Sequence, residues 1–296
     1  MIKSFFNTNN IEYLEDISLK KYNTYHIDTI CKYLVFPKDK EELIKILLYI
    51  KDNNIKHFIL GNGSNIILSM SYYDGIIIKL DYMNKVEYNG NIVIAEAGCS
   101  LIKLALDTIN RSLSGLTFAA GIPGNIGAST AMNAGAYNND MSSVIKEVTV
   151  LDENFQIKKL TNEELSFSYR DSYLKKHPEL IVLSTTFSLS DGDKDEMLAQ
   201  VTERKNKRIA SQPLNMPNAG SVFRNPEGMY AGELIEKCGL KGYNINGAEV
   251  STKHANFIVN TGTATGKDII TLINKIKSEV KSQYNVELKL EQIIIE

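Results

Sequence analysis

The sequence predicts an α+β protein of two or three domains. Three observations carry that expectation. A chain of 296 residues exceeds what one small core accommodates. Short apolar runs punctuated by glycine and polar residues recur from 75 to 190, which is strand texture. Helical periodicity follows Pro37 and returns near the end of the chain.

Taken in order, Tyr33 to Phe36 is an apolar run that stops at Pro37. Leu43, Ile44, Leu47, Leu48 and Ile50 are expected to share one helical face, and Phe58 to Leu60 form a short run ending at Gly61. Together they predict a strand–helix–strand crossover. Further strands are expected at Ile76 to Leu80, Ile92 to Ala95, Val148 to Leu151 and Ile181 to Phe187, with a helix starting near Ser100. Residues 148–157 predict a hairpin turning at Asp152-Glu153-Asn154. A glycine-rich loop is expected over 115–135. Residues 193–210 read as a connecting helix closed by Gln212-Pro213. Glu233 to Cys238 predicts a short helix stopped by Gly239. Ile269, Leu272, Ile273, Ile276 and Val280 predict a longer one capped by Thr265 and Asp268. Val286, Leu288 and Leu290 alternate as a strand.

Composition removes several function classes. A formal net charge of −2 with scattered lysines gives no field for nucleic acid or an anionic membrane. The three cysteines and four histidines have no metal-ligand spacing, and the sparse cysteines point to a reducing compartment. No apolar stretch nears the roughly 18 residues of a membrane span, and polar Asn7 to Asn10 interrupt any leader-like start. A cytoplasmic protein is expected.

Two segments carry chemistry. Leu60-Gly61-Asn62-Gly63-Ser64-Asn65 directly follows a strand, and its glycines and amides suit close approach to a phosphate. A tight turn without ligand is the other reading. Ala119-Ala120-Gly121-Ile122-Pro123-Gly124-Asn125-Ile126-Gly127-Ala128, continuing through Asn133 to Tyr137, is too rich in small residues for a good core. It suits a wrap around a planar or phosphorylated ligand, against the alternative of a loop packed on the sheet.

These two loops resemble the paired flavin-binding loops of the UDP-N-acetylenolpyruvoylglucosamine reductases. The resemblance continues in order through Tyr169-Arg170-Asp171-Ser172, Asn218-Ala219-Gly220-Ser221-Val222-Phe223-Arg224-Asn225-Pro226, Gly247-Ala248 and Lys253 to Asn260. It implies the vanillyl-alcohol-oxidase-type (PCMH) FAD-binding fold, with flavin subdomains at 1–74 and 75–203. An α+β substrate-binding domain would occupy 204–296, its last strand, from about 286, returning toward the flavin.

It implies noncovalent FAD held by Gly61, Asn62, Gly63, Ser64, Asn65, Gly121, Ile122, Pro123, Gly124, Gly127 and Ala128. NADPH would be the co-substrate. The substrate is then a vinyl ether bearing a carboxylate on a UDP-sugar, and a monomer is expected. Arg170 would stabilise the enolate-like charge that hydride addition builds. Ser221 would protonate C2, and Glu291 would be the third catalytic group. Tyr169, Arg224, Asn225, Lys253 and His254 would contact substrate. Without the resemblance, Arg170 reads as a surface ion pair, Ser221 as a turn serine, Glu291 as a solvated strand face and His254 as a histidine packed beside Phe257.

Departures from the family pattern stand at Asp28-Thr29, Ala128 and Gln292-Ile293. The short span from Arg170 to Arg204 assigns the chain to the type without a tyrosine-loop insertion. Rival readings are a noncovalent flavin oxidase on the same fold and a non-catalytic module binding flavin or UDP-sugar. The first loop carries no histidine for a covalent flavin link.

Overall fold

A computed structural model describes residues 2–296. The chain forms two compact units that interleave in sequence. The first comprises Met1–Leu14, Tyr33–Gly61 and Gly75–Lys205; the second comprises Glu15–Lys32, Asn62–Asp74 and Asn206–Glu296.

The first unit is built on a five-stranded antiparallel sheet, in the order Ile157–Thr161, Ile145–Leu151, Ile181–Ser188, Ile92–Glu96, Val86–Asn89. Its central strands bury Val93, Ala95, Val148, Val150 and Phe187. The expected hairpin forms, with Leu151 opposite Ile157. Its loop is tied by Asp152 Oδ1, which accepts from the amides of Asn154 at 2.9 Å and Gln156 at 2.8 Å. Helix Leu101–Asn110 starts where expected, because the Ser100 hydroxyl accepts from the amide of Lys103.

The crossover helix is Lys40–Asp52, but its inner face differs from the expected one. Leu43, Ile46, Leu47 and Ile50 are buried, whereas Leu48 is 42% exposed. Counting three, four and seven residues on from Leu43 reaches Ile46, Leu47 and Ile50; Ile44 packs at the edge of that stripe, and Leu48 falls off it. The strands either side, Ile30–Val35 and His57–Ile59, lie in one sheet with Tyr72–Ile78 between them, and His57–Ile59 runs parallel to Tyr72–Ile78. The loop expected over 115–135 contains two helical turns, Thr117–Gly121 and Ile126–Ala131. Its alanines favour helix wherever glycine and proline do not forbid it.

The second unit holds a three-stranded antiparallel sheet, Asn244–Ile245, Ala248–Val250 and Ile258–Asn260. Helix Gly266–Tyr284 packs on it and buries the five apolar residues its periodicity singled out. Thr265 and Asp268 form a reciprocal capping box. Helix Ala231–Lys237 ends at Gly239, whose φ of 71° a side chain would disfavour.

The strand expected over 286–290 does not form. Buried and exposed residues alternate there, but only Leu290 bridges a neighbour, Phe223. The ladder begins three residues later, where Ile293–Ile295 runs parallel to Ile66–Leu68. Alternation reports a half-buried extended chain; it does not supply a partner backbone.

Gly98 shows how tightly the first unit is closed. A Cβ there would lie 1.8 Å from the Leu80 carbonyl oxygen. Gly98→Ala is expected to destabilise the protein by about 3 kcal/mol, through forced backbone displacement. Ala128→Gly, at an exposed position, is expected to cost under about 1 kcal/mol. Urea unfolding of both variants checks the contrast.

Candidate functional site

In the first unit the two glycine-rich segments meet at Gly61. A Cβ on Gly61 would lie 3.1 Å from the Ala128 Cβ and 3.6 Å from Asn125 Oδ1. Lys79, only 5% exposed, donates to the Gly61 carbonyl at 2.8 Å and pairs with Asp81 at 3.3 Å. The second loop lies against the backbone of 97–99. The amides of Ile126 and Gly127 donate to Cys99 and Ala97 carbonyls, both at 2.9 Å. Gly127 leaves no room for a side chain, since its Cβ would sit 3.0 Å from that of Ala97. Gly124 is likewise closed by Ser129 Oγ, 2.5 Å from a built Cβ. Gly121 and Ile122 are half-buried, and Pro123 and Ala128 are exposed.

The remainder of the first loop, Asn62 to Asn65, belongs to the second unit. Gly63 has φ 63°, and a Cβ there would meet the Tyr22 carbonyl oxygen at 2.2 Å. The approach that demands glycine at 63 is therefore made by the chain's own backbone. Asn62 is exposed and Ser64 half-buried. Asn65 is bonded to the end of the chain twice: its side-chain amide donates to the Glu291 carbonyl at 3.2 Å, and its carbonyl accepts from the amide of Ile293 at 2.9 Å.

Ser221 lies in the same unit, half-buried, at the start of a segment gripped on both sides. On one side Val222 N donates to Asn256 O at 2.9 Å, while the Asn256 side chain pairs with Phe223 N at 3.0 Å and Phe223 O at 2.8 Å. On the other, Glu291 N donates to Val222 O at 2.8 Å and Arg224 N to Lys289 O at 2.9 Å. The fold thus brings Asn65, Ser221, Arg224 and Glu291 onto one hydrogen-bonded frame. The Arg224 Nε is buried with no hydrogen-bond partner in the protein. Asn225 is exposed, and its Oδ1 accepts from Ala231 N at the start of a helix.

Lys253 is exposed and its ammonium donates to the Ile209 carbonyl. His254 is half-buried and packs edge-on to Phe257, with ring centroids 4.9 Å apart. Its Nδ1 accepts from Asn256 N at 3.2 Å, which puts the neutral ring's proton on Nε2. Burial, and then the positive charge of Lys241, hold its pKa below the usual histidine value.

Arg170 is in the first unit, at φ 57° in a tight turn closed by Ser168 and Asp171. Its Nη2 donates to Gly135 O at 2.6 Å, and the guanidinium lies 5.2 Å from the Tyr169 ring centre. The Asn133 side chain donates to Ser168 O at 2.9 Å. The continuation of the second glycine-rich segment therefore anchors this turn. Holding a non-glycine residue left-handed needs such anchoring.

Sequence reasoning passed over Lys79, Asn125, Asn256 and Gln292. Asn256 had a legible signal, being a polar residue set against the buried run Phe257-Ile258-Val259. Asn125 had one too, as a lone amide among small residues. Its Nδ2 donates to Gly98 O at 2.8 Å, while its Oδ1 is buried without a partner. That orphaned acceptor, 3.6 Å from a Cβ built on Gly61 where the two loops meet, fits a polyhydroxylated cofactor. Among the described residues no cluster of metal-ligating side chains occurs, and no helix is long and apolar enough to cross a membrane.

The cradle suits a flavoprotein, and residues 31–161 match the family model for an FAD binding domain. Residues 212–295 match the C-terminal domain model of UDP-N-acetylenolpyruvoylglucosamine reductase. The reductase of that name from Clostridium novyi is 42% identical over 96% of this chain and 92% of its own length. The one from Lactobacillus acidophilus is 41% identical over 96% and 95%. The crystal structure of the Thermus caldophilus reductase superposes with a TM-score of 0.81 at 30% identity, covering 97% of this chain and 99% of that one. The chain belongs to the UDP-N-acetylenolpyruvoylglucosamine reductase family.

Asn125→Ala is expected to weaken FAD binding about fivefold, the worth of one ordinary hydrogen bond. Titration of the apoprotein by flavin fluorescence checks this. Unchanged affinity would mean that the orphaned oxygen faces no ligand.

Proposed function

We propose that this protein reduces UDP-N-acetyl-3-O-(1-carboxyvinyl)-glucosamine to UDP-N-acetylmuramate with NADPH, through noncovalently bound FAD, in peptidoglycan precursor synthesis. Family membership supports the reaction. The observation that carries the site reading is the frame joining Asn65, Ser221 and Glu291. Residues 1–74 and 75–203 act as the flavin-binding parts and 204–296 as the substrate-binding part, in a cytoplasmic monomer.

Bound FAD supplies a hydride acceptor for NADPH and a hydride donor for the vinyl ether carbon. The chain holds it with Gly61 to Asn65 and with Gly121, Ile122, Pro123, Gly124, Gly127 and Ala128. The remaining work falls to side chains. Charge develops on the substrate carboxylate as the double bond is reduced, and Arg170 offers a permanent planar cation to it. Its bond to Gly135 and its stacking on Tyr169 fix that guanidinium beforehand. Ser221 delivers the proton to C2. Glu291 acts beside it, held by its own backbone amide and carbonyl.

Arg224, with a buried unpaired Nε, suits an anionic part of the substrate. Asn225 has its carbonyl occupied by the helix start, which leaves its amide protons to donate. His254 stays neutral at physiological pH and so serves as a hydrogen-bond donor from Nε2, not as a charge. Lys253 adds positive charge near the UDP part.

On the reading that NADPH and the sugar nucleotide use the flavin in turn, double-reciprocal plots are expected to be parallel; intersecting lines would contradict that order. Ser221→Ala is expected to leave flavin reduction by NADPH within about twofold of wild type and to slow reoxidation by about two decades or more. Stopped-flow flavin absorbance separates the two steps. Equal slowing of both would remove Ser221 as the proton donor.

A further inference from the structure

Gln292, one of the departures from the family pattern, is 3% exposed and fully engaged. Its Nε2 donates to the Ala219 carbonyl at 3.0 Å and the Gly220 carbonyl at 3.3 Å. Its Oε1 accepts from the Tyr25 hydroxyl at 3.0 Å. Ala219 and Gly220 are the two residues immediately before Ser221, and Glu291 immediately precedes Gln292. One side chain therefore reaches from the Glu291 segment to the turn that presents Ser221.

Beyond Ser221 the chain is gripped by the backbone bonds of Val222, and before it the turn is oriented by side-chain amides. Gly220 has φ 74°, and no atom lies within 4 Å of a Cβ built on it, so packing does not set the direction of the chain there. Before Ser221, a pair of side-chain amides holds it. Asn218 Oδ1 accepts from Gly220 N at 3.0 Å, and Gln292 binds the carbonyls. Gln292 is in turn fixed by Tyr25, which is fully buried and whose own carbonyl accepts from Asn260 at 2.8 Å. Burial raises the phenol's pKa far above its ordinary value, so Tyr25 remains a donor throughout the working pH range.

We propose that Gln292, seated by Tyr25, is a positioning residue for proton delivery: it sets the Ser221 turn in register with Glu291. The inference rests on the reading of Ser221 as proton donor. An apolar side chain of similar volume would keep the packing but withdraw the donors from both carbonyls and leave the phenol without its acceptor. The Ser221 hydroxyl would then sample several directions, and the loss would fall on the protonation step alone.

The test uses the flavin-loaded protein with Gln292→Met, which conserves volume, and Tyr25→Phe, which removes one hydroxyl. Gln292→Met is expected to slow reoxidation by the enolpyruvyl substrate about tenfold, with flavin reduction by NADPH and FAD affinity within about twofold of wild type. The solvent deuterium isotope effect on reoxidation is expected to rise, because proton transfer becomes more fully rate-limiting. Tyr25→Phe is expected to slow reoxidation about threefold, and the double variant no more than Gln292→Met alone, since the two act through one contact.

Reoxidation within about twofold of wild type in Gln292→Met, or equal slowing of both half-reactions, would overturn the proposal. If Gln292→Met does not fold, Tyr25→Phe decides by the same two readouts. Ser221→Ala is measured alongside. Fast reoxidation in that variant would remove the donor reading and the positioning role with it. Slow Ser221→Ala beside a normal Gln292→Met would remove only the positioning role.

Discussion

Asn65 bonds the chain near its end through both its side chain and its backbone, and the rest of the second unit is organised around that join. Its two bonds fix Glu291 and Ile293. From there Ile293–Ile295 continues as a strand beside Ile66–Leu68. Glu291 N and Gln292 Nε2 carry the constraint to the Ser221 turn, and Asn256 closes it from the other side. Four stretches distant in sequence thus share one set of directional bonds. Hydrophobic burial holds these stretches together without fixing their register; the buried amides specify it, because each would be costly to leave unpaired.

The first unit solves a different problem by different means. Its cradle is defined by what is absent. Gly98, Gly124 and Gly127 each sit where a methyl group would press on the protein's own atoms, so the chain packs closely behind the loops. Lys79 braces the rim at Gly61 from below, and Gly135 braces Arg170. A surface made of backbone and small side chains offers amides and flat contact to a large cofactor.

Much of this was legible in the sequence. Ser100, the Thr265–Asp268 pair and Gly239 marked helix ends because capping is local chemistry. The hairpin after Leu151 was legible for the same reason. The Lys40–Asp52 helix was located, but its inner stripe was drawn through Leu48, since a run of aliphatic residues hides which are spaced three and four apart. Alternation over 286–290 was real, yet the pairing it implied occurs further on, where a neighbour exists. At the site, loops and catalytic candidates were reached through ordered motifs. Gln292, Asn125 and the backbone demand on Gly63 were not, because each depends on a partner from a remote part of the chain. Gln292 registered only as a departure from pattern; Tyr25, 267 positions away, gives it its meaning.

One protein couples NADPH oxidation to reduction of the enolpyruvyl ether through its flavin. A single anaerobic turnover tests it most directly. Flavin-loaded protein is reduced with one equivalent of NADPH, mixed with the enolpyruvyl sugar nucleotide, and the quenched solution is examined by mass spectrometry. Flavin absorbance is expected to return together with one equivalent of UDP-N-acetylmuramate. Absorbance that returns only on admitting oxygen, with the sugar nucleotide unchanged, would contradict it.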